Sequence, residues 1–377
     1  MLLAINLRAA LAGVGPVVTD IRAATGLANW AIGLLTTLPL VAFGLLSTFT
    51  PVVTRRTGPE GGVVLALALI GGGVLARALP PVAFLFGGTV LLGVGIALGN
   101  VLIPALAKRY FPTRTGSVTS LYSSVMGLGA TLAAGVSAPL ALWMGWRGAL
   151  GIWVVPVVVA LAVWVPLARH RRLAPAAVAA PSRLRALGRS GLAWQIALFM
   201  GFQSLTFYVM LAWMPDLLQG RGFAPGAAGW LLALSQAAGV AGTAVVPIWA
   251  GSLPDQRGII WSLGVLEAAS LAGLLLAGNT LVILWVALIG FVLGGTFGLA
   301  LLLLVLRSPD AQTAGELSGM AQSVGYLIAA TGPAIFGYIH DLTDGWGIPL
   351  GFLGAVLAAK IVVGSGSGRS GMVLPPR

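Results

Sequence analysis

The feature that most constrains this chain is a set of long stretches without a single Asp, Glu, Lys or Arg. Residues 23–54, 78–107, 115–146, 222–254 and 268–306 are of this kind. A helix needs only about 20 apolar residues to cross a bilayer, so several of these stretches hold a crossing and a turn. In hydrocarbon every backbone N–H and C=O must be bonded within the spanning structure, which leaves helices and closed barrels. Barrel strands alternate apolar and polar residues over segments of about 10 residues, and stretches such as VVLALALIGGGVLA do not. The expectation is therefore an all-α membrane protein.

Composition agrees. Charged residues make up 8% of the chain and the mean hydropathy is +1.00, against about 25% charged in an ordinary soluble domain. The 54 glycines suit helices that approach closely in lipid. There is no cysteine, which excludes disulfides and thiolate metal sites. The apolar start has no basic n-region and carries Arg8 inside it, so it does not read as a cleaved signal and is expected to stay in the mature protein.

Cutting at Pro, Gly and charge clusters gives twelve crossings. They are 1–19, 28–50, 61–79, 81–107, 115–140 and 149–168, then 191–214, 227–250, 259–277, 280–306, 318–339 and 347–363. The expected organisation is a six-helix bundle over 1–168, a cytoplasmic linker over 169–190, a second bundle over 191–363 and a flexible tail over 364–377. With the N-terminus cytoplasmic, 16 of the 21 basic residues fall on the cytoplasmic side, Lys360 and Arg307 among them. Arg22, Arg77, Arg147 and Arg221 fall opposite, and Arg8 alone is left over. That asymmetry satisfies the positive-inside rule, with both termini cytoplasmic and the chain multi-pass in a bacterial-type inner membrane. The net charge of +12 is then topology and not a nucleic-acid footprint. The linker RHRRLAPAAVAAPSRLRALGRS is also compatible with a surface for anionic lipid.

The two halves show internal similarity. PVVTRRTGP from Pro51 answers GSLPDQRGI from Gly251, so that Gly58 and Gly258 differ by 200 positions. GWRG from Gly145 and GWGI from Gly345 differ by the same amount, and AIGLL from Ala31 and AAGWL from Ala227 by 196. Parallel six-helix repeats imply a transporter of two rocking halves. With Gly251, Asp255, Arg257 and Gly258, the second loop resembles the G-x-x-x-D-R/K-x-G signature of the major facilitator superfamily. Gln256 stands at its usual basic position. The first-half copy departs, with Pro51 for the glycine and Arg55 for the acid. NLRAALAGVGPVV, LLGVGIALGNVLIPALAKRYFP and FQSLTFYVMLAWMPDLLQGRGF are similar to the branch holding cyanate permeases and nitroimidazole transporters. That resemblance implies two pseudo-symmetric six-helix bundles and a small solute.

Arg8 lies about 10 Å into its crossing at 1.5 Å per residue. An arginine at mid-helix costs about 2.5–3.5 kcal/mol on translocon scales, so it should face a wet cavity or an acidic partner. One reading makes it the anchor of an anionic or electron-rich solute, which a guanidinium fork grips well. The other makes it a structural arginine bonded to backbone. Asn6 falls about 200° from Arg8 on a regular helix, so the two stripes should have different roles, and Asn6 too is a candidate solute contact. Gly13 shares the Asn6 face and Gly15 that of Arg8.

The resemblance implies that the first, fourth, seventh and tenth helices line the cavity. Asn100, with Gly93 and Pro104, is the polar candidate on the fourth, and Gln203, Phe207 and Tyr208 are candidates on the seventh. The tenth offers Thr296. Gln322 and Tyr326 on the eleventh, and Tyr122 and Ser123 on the fifth, read equally well as ligand contacts or as interhelical packing. Glu267 is the second mid-span charge. A structural bond, a lipid-shielded protonated acid and a proton-coupling site are all open to it. His170 reads as loop solvation.

Two histidines and nine scattered acids assemble no metal cluster or nucleophile triad, and G-x-G fragments such as GVGIALG sit inside an apolar helix. No cofactor and no enzymatic activity are expected. The reading is a secondary transporter, monomeric, that moves a small polar or anionic solute by alternating access, alone or with a proton or ion. The alternatives are efflux of hydrophobic drugs and a receptor or scaffold without flux.

Overall fold

The computed structural model describes residues 1–46, 50–110, 115–170, 183–309 and 311–374. These are almost entirely helical, and no strand occurs among them. The first crossing is made of α1 (Leu2–Asn6), α2 (Ala9–Ala12) and α3 (Val18–Thr25), with a 3-10 turn at Gly15–Val17. Next come α4 (Asn29–Leu46), α5 (Thr50–Arg77), α6 (Val82–Tyr110), α7 (Thr115–Gly151) and α8 (Val154–His170). After the short α9 (Leu184–Leu187) stand α10 (Gly191–Gly220), α11 (Pro225–Gly251), α12 (Arg257–Leu276), α13 (Val282–Leu306), α14 (Ala311–Thr343) and α15 (Gly347–Ser367).

Glycine divides the longest of these. Ser124–Arg169 is one apolar stretch of 46 residues, about 69 Å of helix and over twice the hydrocarbon thickness. Gly145, at φ 72 and ψ 163, breaks it into two crossings. Gly58 takes nearly the same conformation, φ 73 and ψ 163. Left-handed backbone of this kind is open to glycine without a Cβ clash, and Pro59 then restarts the helix with its φ already set. Among the described residues nine helical segments are long and apolar enough to cross a membrane. Counting Ser124–Arg169 twice, and adding the shorter α4 and the more polar α14, gives the twelve passes.

The chain forms two compact units: Met1–Val178 with Leu211–Ala233, and Ala179–Met210 with Leu234–Arg377. Within the first, the outer part of α10 lies so close to the first crossing that a Cβ at Gly15 would meet the Leu211 and Ala212 carbonyls. That approach explains why residues beyond the linker pack with the first unit.

In the second unit α11 and α13 meet through glycine. A Cβ at Gly290 would strike the Ser235 carbonyl, one at Gly294 the Gly239 carbonyl and one at Gly242 the Phe291 carbonyl. Gly290 and Gly294 are four apart and share a face, the small-residue pattern that lets backbones touch in lipid. The Thr243 hydroxyl lies 2.9 Å from the carbonyls of both Gly239 and Gly294, and so can donate across the interface.

Residues 364–374 of the segment expected to be a flexible tail are structured, and 375–377 lie outside the described residues. α15 continues through Gly364 to Ser367, Val373 is buried in an apolar cluster with Leu187, Ile196, Leu304 and Leu317, and its N–H donates to the Arg307 carbonyl at 2.8 Å. Glycine-rich composition suggested a mobile end, but buried hydrogen-bond acceptors tie it down.

Candidate functional site

The first crossing is not a regular helix. α1 ends on Leu7, and Arg8 opens α2 as its N-cap at φ −121 and ψ −28. The 200° separation of Asn6 and Arg8, which assumed an unbroken helix, does not carry across that break. Arg8 is half-buried. Asn6 is fully buried, its amide donating to the Leu2 carbonyl at 2.7 Å and the Pro156 carbonyl at 3.2 Å. Gly13 also faces α7 and the turn before α8, where a Cβ would lie 2.8 Å from Ser137 Oγ and 3.2 Å from Trp153 Nε1. Asn6, expected among the solute contacts, is thus engaged in packing against α8.

Irregular backbone leaves groups that need partners. The Val14 N–H turns to Leu11 at 3.2 Å and leaves the Ala10 carbonyl to the Arg77 guanidinium, which donates to it at 3.0 Å. Arg77, counted above with the outer loops, is 2% exposed. Arg8 is therefore not the only basic residue set within the crossings. No signal in the sequence marked Arg77, which stands just before Pro80-Pro81 like a loop charge.

Asn100 is half-buried on α6, and no hydrogen bond of its side chain occurs among the described residues. Its neighbour Gly99 packs against the Leu7 side chain, so Asn100 and Arg8 each lie one residue beyond that contact. Gly93 rests on Pro39 of α4. The side chains of Pro104, Ser123, His170, Pro51 and Arg55 lie outside the described residues.

In the second unit α10 and α14 cross where Gly201, Gly325 and Gly332 remove side-chain bulk. Tyr208 and Tyr326, both buried, meet edge-on with ring centroids 6.5 Å apart, and Phe207 stands edge-on to Tyr208 at 5.1 Å. Gln203 is buried, its amide donating to Ser204 Oγ at 2.6 Å, while its Oε1 has no partner among the described residues. Gln322, half-buried, donates to Ser318 Oγ at 2.9 Å. Thr296 bonds to the Val292 carbonyl of its own helix at 2.6 Å. This unit therefore presents an aromatic pair and an unsatisfied amide oxygen from two helices.

The loop after α11 is held from within. Asp255 accepts the Arg257 N–H at 2.7 Å and pairs with its guanidinium at 3.2 Å, which places a carboxylate at the positive end of α12. Gly251 and Gly258 are exposed, and nothing crowds a Cβ at Gly258. The buried member is Gln256. It donates to the carbonyls of Ala250 and Leu253, at 3.1 and 2.8 Å, and accepts from Arg307. Arg307 also donates to the Ser367 and Gly368 carbonyls at 3.1 and 3.0 Å. Burial lowers this guanidinium below its ordinary pKa, while nearby Asp255 pulls it up.

Glu267 has a partner. It forms a fully buried ion pair with Lys360 of α15. Lys360, assigned above to the cytoplasmic side, is 3% exposed and lies inside its crossing. Two opposite charges embedded in separate apolar runs were the available signal for this pair.

Arg22, placed above only among the charges opposite the cytoplasmic side, has a partner in Asp216. The Arg22 guanidinium binds Asp216 through both terminal nitrogens at 3.2 Å, and donates to Asn29 Oδ1 at 2.6 Å. Thr19 donates to Gln219 Oε1 at 3.1 Å, two residues separated by the 200 positions of the internal repeat.

Two sets of six passes, an arginine at a break in the first pass and a signature loop in the second half define a helical membrane transporter, and no metal-binding cluster occurs among the described residues. The chain belongs to the major facilitator superfamily, whose family model matches residues 1–333. It is 41% identical to the 2-nitroimidazole transporter of Escherichia coli over 351 residues, 93% of this chain and 89% of that protein. It is 30% identical to the cyanate transport protein CynX of Escherichia coli over 354 residues, 92% and 90% of the two chains. The crystal structure of a D-xylose-proton symporter matches with a TM-score of 0.76 at 14% identity, over 96% of this chain and 95% of that one. The family and these relatives are transporters, not enzymes.

Proposed function

We propose that this transporter moves a compact, planar, electron-rich solute, either a small anion or a nitro- or imidazole-type heterocycle, by alternating access. The observation that carries the reading is Arg8, half-buried at the break between α1 and α2. A guanidinium at mid-crossing is costly unless it works, and its planar fork fits a planar acceptor better than an ammonium would. The 2-nitroimidazole and cyanate relatives carry substrates of this chemistry.

In this reading Asn100 is a polar solute contact, and Gln203, Tyr208, Gln322 and Tyr326 offer an amide and an aromatic wall. Asp255, Arg257, Gly251 and Gly258 shape the loop that moves with α12. Glu267, held by Lys360, keeps α12 and α15 in register. Both termini are cytoplasmic, and the working unit is a monomer.

The test is uptake into proteoliposomes of radiolabelled cyanate, 2-nitroimidazole and small carboxylates. Arg8→Ala should lower transport of the accepted solute at least tenfold, with Arg8→Lys intermediate. Full transport by Arg8→Ala would remove the arginine from the mechanism. Binding of a solute without flux would point to a receptor instead.

A further inference from the structure

We propose that the membrane face at the start of α10 carries a binding site for the headgroup of an anionic phospholipid. Three guanidinium-bearing residues, Arg183, Arg185 and Arg189, line one open depression of about 520 Å³ together with Ala186. Arg183 is built into the protein: its N–H donates to Glu316 Oε2 at 2.6 Å and its guanidinium to Thr313 Oγ1 at 2.9 Å. Arg185 and Arg189 are exposed, and no ion pair or hydrogen bond of their side chains occurs among the described residues. Two cations on a short stretch of chain thus have no ion-pair partner among the described residues.

The scaffold around them is rigid. Leu187 is fully buried in the apolar cluster formed with Ile196, Leu304, Leu317 and Val373, which anchors α9 to the second unit. The Trp194 indole donates to the Gly188 carbonyl at 2.9 Å, which fixes the turn between Arg185 and the start of α10.

The occupant follows from what stands beside the arginines. Leu184 and Trp194 are 52% and 42% exposed, and Trp194 sits one turn into a helix that crosses the membrane. A tryptophan at that depth marks the headgroup level. A basic depression on this stretch, with exposed apolar groups at neighbouring positions in the chain, suits a ligand whose phosphate meets guanidinium while its chains remain in the bilayer. A free phosphate would use the arginines but leave Leu184 and Trp194 without a role.

The experiment is native mass spectrometry of the full chain, taken from nanodiscs of phosphatidylcholine with and without phosphatidylglycerol. Wild type should retain phosphatidylglycerol selectively. Retention should fall roughly fivefold for each of Arg185→Gln and Arg189→Gln, recover largely in the corresponding lysine variants, and stay unchanged in Arg221→Gln at the far end of α10. Inorganic phosphate or glycerol phosphate should not compete. Equal retention of both lipids, or unchanged retention in the double glutamine variant, would overturn the site. Competition by inorganic phosphate would overturn the lipid as its ligand. The altered side chains are exposed, so the melting temperature should match wild type and separates lost binding from misfolding.

Discussion

Arg22 and Asp216, 194 residues apart, face each other as a two-pronged ion pair at the far ends of the first and seventh crossings, with Asp216 almost fully buried and Arg22 about one third exposed. Such a pair resists separation of the two helices. If the transporter alternates access, these ends part during the cycle. Arg22→Gln should therefore favour the parted state by about 1–2 kcal/mol, a factor of roughly 5–30. The chain has no cysteine, so a single Val18→Cys, buried here at 2%, can report by maleimide labelling. Its labelling rate should rise in the Arg22→Gln background. An unchanged rate would show that the pair does not hold these ends together.

The Glu267–Lys360 pair offers a test of a buried salt bridge. Removing one partner strands the other charge, at about 3–5 kcal/mol, whereas replacing both by apolar groups of similar volume is often near neutral. Glu267→Gln and Lys360→Met should each lower the melting temperature markedly, and Glu267→Leu with Lys360→Met should lose less than either. Additive losses would mean that the two residues act independently.

Glycine at the α11–α13 contact is a steric requirement. Gly294→Leu would drive a side chain into the Gly239 backbone, a cost of about 1–3 kcal/mol or more for overpacking. Gly258→Ala, with open space around it, should be near neutral. Thermal unfolding of the two variants in detergent checks the contrast.

The structured end makes its own prediction. Gly368 accepts the Gln256 N–H at 3.1 Å and one Arg307 bond at 3.0 Å. Ending the chain at Ser367 leaves these buried donors without that acceptor, at about 1–3 kcal/mol for each unsatisfied group. The truncated protein should melt lower than wild type, and Arg307→Met should cost less in it than in the full chain, because the Gly368 bond is already gone while those to Gln256 and Ser367 remain. Full additivity would show that the Gly368 carbonyl contributes nothing through Arg307.

Much of this was legible in residue order. Charge-free runs and a helix-breaking glycine such as Gly145 mark crossings and their limits, because the length of an apolar helix and the need to bond every backbone group in lipid are local properties. The repeat offset of 200, which relates Gly58 to Gly258, was equally open to reading, and it also separates Thr19 from Gln219. What the sequence by itself determined was an all-helical, twelve-pass transporter with an arginine in its first crossing.

Tertiary structure decided how deeply each polar residue is buried and what it meets. Asn6 and Arg8 are two positions apart in sequence, yet a break in the backbone gives the first to α8 and leaves the second half-buried. Arg77 and Lys360 looked like loop and end charges until the Ala10 carbonyl and Glu267 were found opposite them. The reason is physical: a buried polar group is stable only with a partner, and here that partner lies 67 residues away for Arg77 and 93 for Lys360. Only the packed helices bring such pairs together.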